Sequence, residues 1–561
     1  MKIKTLFFIF ILITIVFAQF PLNDVPLNHP VYEFVEELST TTKCAFHGIN
    51  QKPYKFEDVK KYLLVILERY PQKITDLQKQ KIYQFLNEFH DEKKSSEENK
   101  WKFYPVADYL YSKMPFLKWF YRDKWDFYTY NKDKLTFRLN PQMRLVKYQS
   151  RNNSTTTNEM RISTGYVIEG SYVGNLGFYW NLLDNSFEKQ IIRPERNVWK
   201  DSGYPFITNS ENSIQWDENI FFMTFNWKGI DFLAGRNFLV WGPGERDHII
   251  LSTNSPAFDQ LKLRFTSKYV DYTVVTGKLF APVDSIQFTR DMPDKSKYLA
   301  AQRVDIYPFP FLQIGWTQMI VYANRNVVVG YNLPFSFFKS SEHYYGDKDN
   351  GLMALDIQFF PFRHVNAYFS WLIDDLTTSK IGTDFIGNKF AFQYGLKLLD
   401  MPLWKWRSDW FVEYIKIDPY VYSHRYGNET EFKHYDSHLG SFLEPNSDMV
   451  YLKHKMRFTS HIQFISEFEY IRHGANLPDY NAGGSVDESH GDHQGYQPFL
   501  SGKREYTTRV FATINYEYFY RSNFFITLAG IKNPFQKWTT DIWVGLSFSF
   551  GYRPYQPIYR F

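Results

Sequence analysis

From about Lys134 to Phe550, apolar and polar residues alternate with a period of two, the signature of strands with two unlike faces. The last segment is the clearest, with Ile542, Val544, Leu546, Phe548 and Phe550 alternating with Asp541, Trp543, Gly545, Ser547 and Ser549. Thr508, Val510, Ala512, Ile514 and Tyr516 alternate likewise with Thr507, Arg509, Phe511, Thr513 and Asn515. Further upstream, Leu452, Met456 and Phe458 share one face while Lys453, Lys455 and Arg457 share the other. The neighbouring segment sets Ile462, Phe464, Phe468 and Tyr470 against Gln463, Glu467 and Glu469. Apolar on one side and charged on the other fits a barrel wall between lipid and a polar lumen.

About eighteen such segments are counted, and their connections carry a second regularity. Those after even-numbered segments are mostly tight, as at Gly170-Ser171, Lys228-Gly229, Ser267-Lys268, Pro308-Phe309-Pro310, Phe362-Arg363-His364 and Ser460-His461. Those after odd-numbered segments are mostly long, including 183–219, 238–258, 280–299, 321–352, 418–448 and 473–505. Short turns at one end and long loops at the other define a transmembrane antiparallel β-barrel over residues 134–561.

Before this array the period changes. Val31, Phe34, Val35 and Leu38 follow helical spacing, as do Val59, Tyr62, Leu63, Ile66 and Leu67 between Phe56 and Arg69. A third helix opens at Thr75-Asp76-Leu77-Gln78, a capping-box pattern, and continues through Ile82, Phe85, Leu86 and Phe89. Residues 19–100 therefore read as a small N-terminal α-helical domain on the periplasmic side. Its end is the charged run Asp91–Lys100, and 101–133 connects it to the barrel. Ahead of it, Lys2 and Lys4 precede an apolar run from Leu6 to Phe17, and Ala18 offers a cleavage position. This is a secretory signal peptide over residues 1–18, too short to span a bilayer.

Composition sharpens this picture. Aromatic residues make up 20% of the 561 residues, while mean hydropathy is negative, which suits a chain with rings at an interface and a polar remainder. A net charge of +5 is too dilute for a nucleic-acid partner. Cys44 is the sole cysteine, so no internal disulfide forms. With no run of about twenty apolar residues downstream, a closed barrel is the route into a membrane for an exported chain.

Two blocks, GRNFLVWGPGERDHIILSTNSPAFDQLKL from Gly235 and HLGSFLEPNSDMVYLKHKMRF from His438 followed by EYIRHGAN, resemble the Wzi family of capsule-assembly outer-membrane proteins. The helical segments HPVYEFVEEL and KPYKFEDVKKYLLVIL share the likeness. Glu444 departs from the pattern, where glycine is expected, and Pro554 and Pro557 interrupt the terminal segment that ends in Phe561. The resemblance implies an eighteen-stranded, largely plugged barrel that acts as a lectin for surface polysaccharide.

Sugar recognition needs rings to stack on sugar faces and ionic or amide groups to pair with hydroxyls and carboxylates. Candidates on the long loops are Trp199 and Trp216 near Arg196; Trp241, Glu245 and Arg246; Arg290 and Asp291; Tyr344 and Tyr345 beside His343; and Tyr420, Tyr422, His424 and Arg425. Arg236 joins them, although strict alternation puts it on the face of Phe232 and Ala234 unless a bulge turns it inward. His490 and His493 lie among carboxylates in a solvated loop and are not taken as a metal site. No G-x-S-x-G, H-E-x-x-H or G-x-x-x-x-G-K motif is present. The expectation is a non-catalytic, cofactor-free, monomeric binder of capsular or other surface polysaccharide in the bacterial outer membrane, with outer-membrane lipid around it. The rival reading is a porin-like channel or transporter for small polar solutes.

Overall fold

The structure, a computed structural model, describes residues 23–89, 113, 126–132, 134–152, 155–172, 175–189, 208–209, 213–280, 296–425, 429–491 and 495–549. The signal peptide, the run Asp91–Lys100, most of 101–133, and Arg196, Trp199, Arg290, Asp291, His493 and Phe561 lie outside these residues.

Eighteen long antiparallel strands close into a barrel. In chain order they are β1 Leu135–Asn152, β2 Thr155–Tyr172, β3 Leu176–Lys189, β4 Ser213–Trp227, β5 Ile230–Asn237 and β6 Phe258–Thr266. There follow β7 Val270–Leu279, β8 Lys297–Phe309, β9 Leu312–Ala323, β10 Asn350–Phe359, β11 Val365–Asp375 and β12 Lys389–Leu403. The last six are β13 Trp406–Ile417, β14 Ser447–Arg457, β15 Ile462–Ala475, β16 Lys503–Phe519, β17 Ser522–Asn533 and β18 Gln536–Phe548. Each pairs with its sequence neighbours, and β18 closes on β1 in a register running from Thr540↔Arg151 to Phe548↔Met143. A short strand, Tyr128–Lys132, pairs with the start of β1, so pairing begins before residue 134.

The alternation predicts the two faces. Val450, Leu452, Val510, Ile514, Ile542, Val544 and Leu546 are exposed on the outside, while Arg509, Thr513, Asn515, Asp541 and Ser547 are buried within. At the tight-turn end, Trp227, Tyr269, Phe309, Phe362, Trp404 and Phe458 are all exposed. Amphipathic rings favour the boundary between hydrocarbon and headgroups, and this girdle marks it.

Three readings of detail change. Gly170-Ser171 is not a turn, because β2 continues to Tyr172. Glycine stands there because a Cβ at 170 would lie 2.2 Å from the Thr136 carbonyl and 2.7 Å from the Phe178 ring. The long-loop end carries two short connections, between β1 and β2 and between β17 and β18, both flanking the closing seam. The lumen is not uniformly polar. Val275, Leu279, Leu299, Ala301, Met319, Val321, Leu352 and Ile417 point inward into an apolar core. Both faces of those strand halves are apolar because protein, not water, lies on their inner side.

The expected helices form as α1 Val31–Thr42, α2 Phe56–Arg69 and α3 Asp76–Glu88. The capping box at Thr75 is made: the Gln78 amide donates to Thr75 Oγ1 at 3.2 Å and the Thr75 amide donates to Gln78 Oε1 at 2.9 Å. The helices share a core in which Phe360 is buried and Phe311 packs at the edge, so they close the tight-turn mouth of the barrel.

Candidate functional site: a loop plug and its outer rim

The Gly235–Leu263 segment leaves the wall at Asn237 and turns into the lumen rather than away from the barrel. Trp241 is fully buried, packed in one core with Leu239, Ile249, Ile250, Leu251 and Phe258. Val240 and Trp241 pair with Lys52 and Gln51 of the helical head, and the Gly242 amide donates to the Asn50 carbonyl at 3.0 Å. A loop from one end of the barrel thus meets the head from the other.

The ions after Gly244 fasten this excursion. Glu245 Oε1 lies 2.7 Å from Lys453 Nζ and Oε2 lies 3.0 Å from Lys397 Nζ. Burial works against its charge, but the two ammonium groups outweigh it and hold the carboxyl well below the usual range. Arg246 pairs with Glu469, which also binds Arg509 at 2.9 Å, and the Arg246 guanidinium lies 4.5 Å from the Phe442 ring centroid. Burial disfavours that guanidinium, yet Glu469 raises its pKa overall. The amides of Glu245 and Arg246 donate to Glu413 at 2.8 and 3.2 Å.

The second sequence block packs directly on the first. Asp247 accepts hydrogen bonds from the Ser441 hydroxyl, from the Phe442 amide at 3.0 Å and from the His248 amide at 2.9 Å. Burial pushes its carboxyl up to about 7, the Ser441 and His248 donors only partly offsetting the desolvation. Asn254 Nδ2 donates to the His438 carbonyl at 3.1 Å, the Ser252 amide to Leu439 at 2.8 Å, and the Tyr422 hydroxyl to the Ile249 carbonyl at 2.6 Å. Gly440 sits at the contact, where a Cβ would fall 2.5 Å from the Tyr422 hydroxyl. Glu444 accepts from the Val486 amide at 3.4 Å, so its carboxylate joins this loop to the next.

Below the plug lies a charged belt shared with the head. Lys397 binds Glu36 at 2.8 Å as well as Glu245; Lys455 pairs with Glu33, and Arg457 with Glu37. Arg303 is held between Asp305 and Asp356, both at 2.6 Å. A cavity of about 620 Å³ remains between head and plug, lined in part by Glu33, Lys453 and Lys455.

The other candidates lie apart. Trp216 is buried on the inner wall with Phe187, Phe511 and Trp543, and the Arg161 guanidinium sits 5.0 Å from its ring centroid. Arg236 stays on the outer face with Phe232 and Ala234, without a bulge to turn it, and binds Asp259 in a fork at 2.8 and 3.1 Å. Tyr344 is 89% exposed and Tyr345 partly so, on the segment between β9 and β10. Trp241, Glu245 and Arg246 are brought together, with Tyr422 in the same core as Trp241, and inward rather than outward.

The outer rim presents groups that alternation alone did not single out. The loop 376–388 and the segment 495–502 zip together through an isolated bridge between Phe385 and Tyr496. Their rings stand 5.9 Å apart at 65°, and Lys380 Nζ lies 4.0 Å from the Phe385 centroid. Gln497 Nε2 donates to the Tyr480 hydroxyl at 2.9 Å, and both Tyr480 and Tyr496 keep exposed faces. Their one signal in the sequence was position: rings and amides in a long connection after an odd-numbered strand.

A closed antiparallel barrel, apolar outside, ringed by aromatics and filled by its own head and loops, is a plugged membrane β-barrel. The chain belongs to the capsule assembly protein Wzi family, whose model matches residues 146–541. Among solved structures it is similar to Wzi of Escherichia coli, described as an outer membrane protein involved in group 1 capsule assembly and a carbohydrate-binding β-barrel. Identity there is 11%, TM-score 0.54, with 94% of this chain and 100% of that chain covered. OccD3 of Pseudomonas aeruginosa aligns over 73% of this chain and 90% of its own at 10% identity and TM-score 0.40. OccAB2 of Acinetobacter baumannii aligns over 73% and 98% at 9% identity and TM-score 0.42. No curated protein matches the chain by sequence.

Proposed function

We propose that this chain is an outer-membrane protein, exported by its first 18 residues, that binds capsular polysaccharide on its outward loops and takes part in attaching the capsule. It works as a monomeric binder rather than an enzyme. Membership of the Wzi capsule assembly family carries the reading. The zipped rim supports it further, with two exposed tyrosine faces beside an amide and an ammonium, the donor and stacking set that sugars require. Weak contacts of this kind retain a polymer by repetition along its length. A lumen filled by residues 238–257, 418–425 and 429–446 argues against the solute-channel alternative. Trp241, Glu245 and Arg246 act in this scheme by shaping the rim from beneath.

The test is binding of purified capsular polysaccharide to the detergent-solubilised full chain. Each stacked ring contributes about 0.5–1.5 kcal/mol, so the Tyr480→Ala/Tyr496→Ala double variant is expected to weaken binding roughly tenfold. Unchanged binding by a correctly folded double variant defeats the assignment of the rim. Full retention of capsule by a strain lacking the protein defeats the function.

A further inference from the structure

The connection between β9 and β10 does not extend from the barrel end. It folds back along the outer wall. Residues 324–349 carry two short helices, α4 Val329–Asn332 and α5 Phe338–Tyr344, laid over β7, β8, β9 and β10. Beneath them, Tyr272, Val274, Ala300, Gln302, Gln318, Ile320 and Tyr322 are buried, although they occupy the outward face that Val270 and Ile306 leave exposed. Gln302 and Gln318 face each other in the strand register. Gln318 is five residues below Ala323, the end of β9. At about 3.3 Å per residue along a strand tilted about 40°, that is roughly 12 Å below the strand end, near the middle of an apolar band about 25 Å tall.

Two glutamines and a tyrosine facing outward at that depth are costly unless their polar atoms are paired. They are paired, and with backbone. Gln302 Nε2 donates to the Leu333 carbonyl at 2.9 Å and to Ser336 Oγ at 3.0 Å. Gln318 Nε2 donates to the Ser336 carbonyl, and its Oε1 accepts from the Phe338 amide at 3.0 Å. The Tyr272 hydroxyl accepts from the Phe335 amide at 2.7 Å while donating to Gln302, and Thr276 donates to Asn332. At the tip, Pro334 has no amide hydrogen to satisfy. Phe335 adopts φ +63°, a left-handed conformation unfavourable for an aromatic residue. That conformation stacks its ring on Tyr272 at 4.6 Å and 9°. Irregular backbone survives within a bilayer only where protein satisfies its hydrogen bonds, and these side chains do so here.

The face turned away from the barrel is apolar. From Val327 to Phe338 the chain reads VVVGYNLPFSFF, without a charged residue or histidine. Val329 is 68% exposed, Leu333 54%, Phe335 81% and Phe337 51%. The charges are held back towards the strand ends, as Arg325 with Asp349, Lys339 with Glu342 at 3.0 Å, and Arg425 with Asp347 at 2.8 Å. The exposed ridge is continuous with the lipid-facing belt of the same wall, where Leu261, Val270 and Ile306 are exposed.

We propose that residues 324–349 are a re-entrant membrane clamp, whose ridge of Val329, Leu333, Phe335 and Phe337 packs among the acyl chains of the surrounding leaflet. The inference rests on the barrel's lying in a membrane, and the test separates the two. In a Cys44→Ser background, nitroxide labels are placed at Val329→Cys and Phe335→Cys, with Ile526→Cys as a belt reference and Glu488→Cys as a loop reference. The full-length variants are reconstituted in phosphatidylcholine vesicles. Collisional relaxation by oxygen, which partitions into lipid, and by a water-soluble nickel chelate is then measured. Labels at 329 and 335 are expected to match 526, with high oxygen and low nickel access. Nickel access like that of 488 at either site, with 526 remaining lipid-like, overturns the clamp. So does low access to both reagents with spin–spin broadening, which identifies a second copy as the occupant. Nickel access at 526 itself refutes the membrane placement of the barrel instead.

Discussion

Glu245→Ala tests the closure of the lumen most directly. The carboxylate holds Lys453 at 2.7 Å and Lys397 at 3.0 Å. Lys397 keeps Glu36 at 2.8 Å when Glu245 is removed, so one cation stays paired. Among the described residues Lys453 makes no other ion pair within 4 Å, but Glu33 and its cross-strand neighbour Glu467 still bear on its charge, and the Phe411 ring lies at 4.9 Å. Breaking a buried pair on one side costs about 3–5 kcal/mol. The lower end applies here, because Lys453 lines the cavity, regains some hydration and keeps Glu33 and Glu467 nearby. About 3 kcal/mol corresponds to roughly a hundredfold rise in the population with the plug displaced. Conductance across planar bilayers reads that population, and the variant is expected to show frequent openings where the native chain is quiet. Glu245→Leu combined with Lys453→Met removes both buried charges and is expected to restore the quiet state. Equal conductance of Glu245→Ala and the native chain refutes the latch, as does failure of the double variant to close.

Two other predictions concern the head and the contact between loops. Burial opposes ionisation of Glu37, but Arg457 and Lys81 outweigh it, and its pKa falls from 4.5 to about 2. A carboxyl lowered on docking stabilises the docked state fully above its free value and loses that contribution as the pH falls from about 4.5 towards 2. Pepsin cleavage of the head is therefore expected to rise across that window, and in Arg457→Met, where the carboxyl is no longer held so far below its free value, this step is expected to flatten; a step as steep as in the native chain contradicts the pairing. Gly440→Ala places a methyl group 2.5 Å from the Tyr422 hydroxyl and 2.8 Å from the Ile249 carbonyl. It is expected to cost about 1–3 kcal/mol, read as a lower unfolding temperature, and an unchanged temperature shows that the two loops do not meet there.

The wall was legible because alternation is a local property: Leu452 and Lys453 announce opposite faces whatever surrounds them. The three head helices and the Thr75 capping box were legible for the same reason. Direction was harder to read once the chain left the strands. Trp241, Glu245 and Arg246 look like surface groups until the inner core buries the ring and Lys397, Lys453 and Glu469, more than 150 residues away, supply counter-charges for the two ions. Trp216 misled similarly, since a ring at the top of β4 can face either way and the inner cluster decides it. In the segment after Ala323, the clue was Gln302 and Gln318 standing on an otherwise greasy face. Their meaning depends on backbone atoms that local pattern does not place.

Lys397 touches a carboxylate from each end of the barrel. From it, contacts run outward through Glu245 and its neighbour Asp247 to Ser441, and along that loop to Asn446, which grips the carbonyls of Gly474, Ala482 and Ser501 beneath the rim. If a polymer is held at the rim as proposed, a pull on it would load this line, and the tension would reach Glu36 in the helical head. The barrel is thus less a stoppered pipe than a rivet, sharing a pull at the surface with the head at its foot.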